Sequence, residues 1–126
     1  SFDLINYKII NELPAIEGKV ASAIVKIRVN GVTKISASDG EGPVHAMDLA
    51  LRAALADFYP EIAKMSLTDF KVRVLDSDKA TAAKVRVLIT SADSTDSWTT
   101  VGVSEDVIEA SWFALVDSID YALMRR

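Results

Sequence analysis

Ala23-Ile24-Val25-Lys26-Ile27-Arg28-Val29-Asn30-Gly31 decides the reading of this chain. From Ile24 it alternates, apolar at 25, 27 and 29 and charged at 26 and 28, the period of a half-buried strand. Asn30-Gly31 is the strongest short hairpin signal, so Val32 to Ala37 is expected to return as the next strand. The pattern recurs further on. Ala83-Lys84-Val85-Arg86-Val87 resembles Val25–Val29, and Leu67-Thr68-Asp69-Phe70-Lys71-Val72 resembles Leu4-Ile5-Asn6-Tyr7-Lys8-Ile9. Each half continues into a hairpin, a third strand and a helix. Offsets of roughly 60 residues predict a duplicated βββα unit, with pseudo-repeats at 1–62 and 63–126. The expected fold class is α+β: two three-stranded antiparallel sheets, each carrying one helix.

The other elements follow from local signals. Phe2 to Ile10 is rich in β-formers and reads as the first strand, and Asn11 to Lys19, with Pro14 and Gly18, as a loop. Ser38-Asp39-Gly40-Glu41-Gly42-Pro43 reads as a turn, with Pro43 at the first position of a helix. Val44, Met47, Leu51, Leu55 and Phe58 make its apolar stripe, Asp48 and Arg52 an i,i+4 pair on its polar side, and Pro60 stops it near Phe58-Tyr59. Glu61 to Met65 reads as a connector. Leu67–Leu75, Ala83–Thr90 and Trp98–Val103 read as strands, separated by polar segments at 76–81 and 91–96. Ser104 is the expected cap of a final helix with the stripe Ile108, Trp112, Leu115, Ile119 and Leu123, and Arg125 and Arg126 suit its C-terminus. Val107, Phe113 and Val116 widen that stripe beyond what one sheet face needs, which predicts burial against a second protomer.

Composition narrows the function classes. The 126 residues are 50% hydrophobic and 25% charged, a globular profile for one domain. There is no Cys and a single His, so disulfides, thiol catalysis and multi-His metal sites are excluded. The net charge of −4 argues against a nucleic-acid partner. No apolar run approaches a membrane span, and Ser1-Phe2-Asp3-Leu4 has no leader character, so a cytoplasmic location is expected.

Little chemistry is written into the residues themselves. His45, at a helix start, is either a general base or a surface or capping side chain. The Gly40-Glu41-Gly42 loop is either a tight turn or a donor of amides to an anion such as a carboxylate. Ser91 to Asp96 lacks the spacing of a calcium loop and reads as a solvated hairpin turn. Trp98 and Trp112 read as core or interface, and Lys26, Arg28, Lys84 and Arg86 as a solvated sheet face. No nucleophile–base set or cofactor fingerprint emerges.

Three stretches carry a family resemblance. Asp39-Gly40-Glu41-Gly42-Pro43-Val44-His45-Ala46 resembles the G-x-G-P-V-x-A loop that opens the first helix of the regulatory domain of 2-isopropylmalate and citramalate synthases. Phe70–Leu75 resembles its fourth strand. Trp98–Ser104, with Ile108–Trp112 and Leu115–Tyr121, resembles its last strand and helix, in the form of the citramalate synthase branch. His45 departs from the Asp of many isopropylmalate synthases. The resemblance implies an excised, dimeric allosteric domain that binds an end product, isoleucine or else leucine, and signals to its own catalytic (β/α)8 barrel. That barrel needs about 250 residues and lies outside this chain; divalent metal and acetyl-CoA belong to it, and no cofactor is implied here. The implied effector-binding positions are Leu55, Phe58, Ile62, Thr68 and Val72, with Ser97, Thr99 and the amides of Gly40 and Gly42 as polar contributors.

Overall fold

The computed structural model describes residues 2–16, 19–75 and 84–125, with only the backbone described at 12–16 and 19. Its elements run β1 (Asp3–Ile16), β2 (Lys19–Val29), β3 (Val32–Gly40), α1 (Pro43–Ala56), a 3-10 helix (Pro60–Lys64), β4 (Ser66–Val74), β5 (Val85–Ala92), β6 (Ser97–Ser104) and α2 (Val107–Met124). The sheets are antiparallel, ordered β1-β2-β3 and β4-β5-β6. The chain divides into two compact units, Ser1–Ala63 and Lys64–Arg126. The duplicated α+β architecture is therefore present.

In the first unit, Asn30 and Gly31 take φ of 50° and 80°, the two left-handed residues that a tight hairpin requires. Ala21, Ala23, Val25, Ile27 and Val29 of β2 are buried, every second residue as the alternation demands. α1 lies over β2 and β3 and touches β1 only lightly. Gly40, paired with Ala21, makes this seating possible: a Cβ there would stand 2.4 Å from the Ala46 backbone nitrogen. The helix answers with Ala46, Ala50 and Ala54, all fully buried and one turn apart.

The second unit repeats the device. Gly102 pairs with Val87, and a Cβ on it would stand 1.9 Å from the Ala110 carbonyl oxygen. Ala110, Ala114 and Ser118 line the facing side of α2 and are buried. Hydrogen bonds then fix the helix along the sheet. Thr100 donates to the Ala114 carbonyl at 2.7 Å, the Ser91 and Ser118 hydroxyls pair at 2.7 Å, and the Trp98 indole N–H donates to Ser118 at 3.1 Å. Arg125, at the end of α2, lies 5.1 Å over the Trp98 ring and pairs with Asp93 at 3.5 Å and Asp96 at 3.3 Å.

Several local expectations are corrected. Asn11–Ile16 is strand, not loop: β1 is an edge strand, where a proline's missing N–H breaks no ladder, and its register shifts between Asn11 and Ile16. Ser38, Asp39 and Gly40 continue β3, because pairing runs on to Ala21↔Gly40, so only Glu41 and Gly42 turn. α1 stops at Ala56, before Phe58, and Pro60–Lys64 closes into a 3-10 helix. Ser91 and Ala92 still pair with β6. Asp106 caps α2 by accepting from the Ile108 N–H at 2.8 Å, while the Ser104 hydroxyl accepts from Asp106 N–H. Asp48 is only 5% exposed rather than on a polar side. The Lys-x-Arg match is also not the structural equivalence, since the glycine pairing aligns Val87 with Ala21 and not with Val29. The polar segment expected at 76–81, Gly18, the strand start expected at Ala83 and Arg126 lie outside the described residues.

The close helix–strand seating predicts a graded glycine series. Gly102→Ala is expected to cost about 3 kcal/mol or more in urea unfolding, as overpacking against backbone that cannot yield. Gly42→Ala meets open space at an extended φ of −160° and is expected to cost about 1 kcal/mol or less.

Candidate functional site

The positions implied by the resemblance fall in both units. In the first, Leu55 is fully buried at the end of α1 and Ile62 is buried in the 3-10 helix. Phe58 is half-buried in the turn between them, where its N–H donates to the Leu55 carbonyl at 3.0 Å. In this conformation Leu55 and Ile62 are core side chains, and Phe58 is the one of the three with open surface.

In the second unit the register separates the candidates by face. Ile89, Val87 and Ser91 of β5 are buried on the α2 side. Val72 pairs with Val87 and therefore shares that side. α2 seats on β5 and β6, so Phe70, Val72 and Val74 of β4 stay 37%, 43% and 62% exposed. Thr99 pairs with Thr90 on the opposite side of the sheet, and Ser97, two residues before, shares that side. Thr68 sits at the register shift between Leu67 and Asp69. Its hydroxyl donates to the Thr90 carbonyl at 3.2 Å, and the Thr90 and Thr99 hydroxyls lie 2.9 Å apart. Thr68 and Thr99, on the two outer strands, are thus both tied to Thr90 on the middle one. Sequence reasoning missed Thr90; a threonine in a strand is ordinary, and only the register shows it between two candidates.

The glycine turn has a definite local structure. Gly42 is the N-cap of α1, Pro43 opens the helix as expected, and Ala46 N–H donates to the Gly42 carbonyl at 3.0 Å. The Glu41 amide, between the two glycines, donates to His45 Nδ1 at 3.1 Å. His45 is exposed, and its Nδ1 is the acceptor in that bond. Gly40 is held by its packing on Ala46.

One turn after His45, Asp48 pairs with Arg52 at 3.1 Å. Burial pushes the Asp48 carboxyl above the usual carboxylate range, and the Arg52 charge and its hydrogen bond to the carboxylate offset part of that. At the β5–β6 turn the cause is reversed. The backbone N–H of Thr95 foremost, then that of Asp96 and the Thr95 hydroxyl, hold Asp93 below its usual range. Among the described residues no group of three or more His, Asp or Glu side chains could hold a metal ion. No helix of the described residues is long and apolar enough to cross a membrane.

Comparison with known proteins gives the family. The family described as LeuA allosteric (dimerisation) domain matches residues 1–123. The chain is 53% identical over 105 residues to the (R)-citramalate synthase of Aquifex aeolicus, covering 83% of this chain and 20% of that protein. It is 52% identical over 103 residues to that of Synechocystis sp., covering 82% and 19%. It is 43% identical over 123 residues to that of Geobacter sulfurreducens, covering 97% and 23%. The chain spans about a fifth of the length of these curated relatives.

The buried carboxyl gives a pH prediction. Because the folded state holds the Asp48 proton more tightly than the unfolded chain does, its contribution favours folding at low pH and declines as pH rises through and above the usual carboxylate range. The stability of the native chain minus that of Asp48→Asn, from urea titrations at pH 3 to 8, is expected to fall with rising pH and then level off.

Proposed function

The chain belongs to the LeuA allosteric (dimerisation) domain family, and from that membership we propose that it is the amino-acid-sensing domain of a citramalate synthase, with isoleucine as effector. The observation that carries this reading is the run of (R)-citramalate synthases among its relatives, at 43–53% identity. A parent enzyme of that kind would carry its condensation of acetyl-CoA with a 2-oxo acid, and its divalent metal, on a barrel outside this chain. The domain would then restrain that barrel when end product accumulates.

The residues supply what a branched-chain amino acid needs. In the first unit Phe58 keeps open apolar surface beside the core residues Leu55 and Ile62, and in the second unit Val72 is apolar and exposed while Thr68, Ser97 and Thr99 offer hydroxyls. The turn at Gly40 and Gly42 is a second candidate for the effector's carboxylate, with the Glu41 amide already engaged by His45. The exposed apolar strip Phe70, Val72 and Val74, with Phe113 of α2 at 44% exposure, suits contact with a second protomer. Effector binding would favour one arrangement of such a homodimer, and the bias would reach the barrel as a population shift.

Leucine is the competing effector, and a hydrophobic pocket separates such isomers by about 1–3 kcal/mol. Calorimetric titration of this chain with isoleucine, leucine and valine tests the reading. Isoleucine is expected to bind at least about tenfold more tightly than the other two. Tightest binding of leucine would move the parent to the isopropylmalate synthase branch, and absence of binding by all three would leave a dimerisation module without a sensor.

A further inference from the structure

The face of the second sheet turned away from α2 carries a charge pattern that the fold does not explain. Arg73 of β4 and Arg86 of β5 stand directly opposite each other in the ladder. Arg86 alternates with the buried Val87 and Ile89, so both arginines lie on the side away from α2. Lys71 comes two residues before Arg73 and Lys84 two before Arg86, which puts two cations from each strand on this face. Like charges directly opposite on a ladder destabilise a sheet. Among the described residues Arg73, Arg86 and Lys84 have no ion-pair partner, and Lys71 reaches only Asp69, at 3.7 Å. The outer face of the first sheet differs, for there Asp3 stands opposite Arg28. The whole chain carries a net charge of −4, so the cationic face reverses the overall sign locally.

The same face has an apolar half. Val103 of β6 pairs with Arg86, and Val101 precedes it by two residues; they are 41% and 44% exposed. All six side chains are exposed, so they form an open face and not a concave pocket, which suits a protein surface better than a small ligand. Two guanidinium forks side by side match a carboxylate held between them. The fitting partner is therefore acidic, with apolar side chains beside the acids. The chain spans about a fifth of its curated relatives, so in a parent of that kind most of the polypeptide is tethered to this face. Tethering raises the effective concentration, which lets a modest patch hold its partner. We propose that Lys71, Arg73, Lys84 and Arg86, with Val101 and Val103, dock an acidic surface of the parent enzyme's remaining polypeptide. This rests on the reading of the chain as one domain of a longer enzyme, and not on which effector it senses.

Lysine acetylation by N-hydroxysuccinimidyl acetate, read residue by residue by mass spectrometry, tests this on the full-length parent and on this chain alone. Lys8 of β1 and Lys64 of the 3-10 helix, both exposed, are the references. Lys71 and Lys84 are expected to react at least about fivefold more slowly in the parent than in the chain alone, with the references within about twofold. Arg73→Glu is the decisive variant. In the chain alone it sets opposite charges across the ladder, so its urea midpoint is expected to match or exceed the native one. In the parent it should return Lys71 and Lys84 to within about twofold of their rates in the chain alone. Equal rates in parent and chain overturn the proposal, because nothing then covers the face. Protection that persists in Arg73→Glu also overturns it, because the arginine pair then does not hold the partner. Slowing in the chain alone that grows with its concentration overturns it too, and assigns the face to a second copy. No arm uses isoleucine, so failure here leaves the sensing reading to its own titration. Condensation of acetyl-CoA with a 2-oxo acid, assayed on the same parent samples, reports separately on the parent enzyme's identity.

Discussion

Each unit depends on one steric constraint, the approach of a helix to a strand at a residue without a side chain. At Gly40 against Ala46, and again at Gly102 against Ala110, backbone meets backbone where no Cβ fits. The facing helix must then be thin, and it is: Ala46, Ala50 and Ala54 in α1, Ala110, Ala114 and Ser118 in α2. Seated this deeply, each helix covers the second and third strands of its sheet and leaves the first largely to itself. The uncovered strand is where the apolar strip of Phe70, Val72 and Val74 arises. Surface for a partner is thus a by-product of how the helix packs rather than a separate feature.

Much of this architecture was legible because burial imposes periodicity. The alternation of Val25 to Val29, the Asn30-Gly31 hairpin and the stripe of Met47, Leu51 and Leu55 each report a face turned toward the core. What escaped was set by partners rather than by period. Residues 11–16 join β1 because β2 offers a ladder to them, and Pro14 is compatible with an edge. Ser38–Gly40 looks like a turn by composition, yet pairing extends through it. Asp106 displaces Ser104 as cap because β6 claims Ser104 first. The two glycines were readable in principle, each followed within eight residues by small side chains four apart, but only the packing shows why.

The candidate site was legible to a different degree. Nothing in composition or spacing points to an amino-acid effector; that reading came from resemblance, and family membership supports its coarse form. Register then redistributes the candidates. Thr68 and Thr99 each bond to Thr90, Val72 lies on the other side of the sheet from Thr99, and Leu55 and Ile62 lie in the core. A one-residue shift at Thr68 is enough to bring its hydroxyl to the Thr90 carbonyl. Such a shift leaves no mark in a single sequence. His45 has a local partner, because its ring nitrogen accepts from the turn that starts α1.

The central claim is the proposal that this chain binds isoleucine, with Thr68, Val72, Ser97 and Thr99 of the second unit among the contact positions. Residue-resolved hydrogen exchange of this chain, with and without saturating isoleucine, tests it most directly. The account predicts slower exchange on adding isoleucine at the amides around Thr68, Thr90 and Thr99. Unchanged exchange there, or slowing confined to the Gly40–His45 turn at the start of α1, would contradict it.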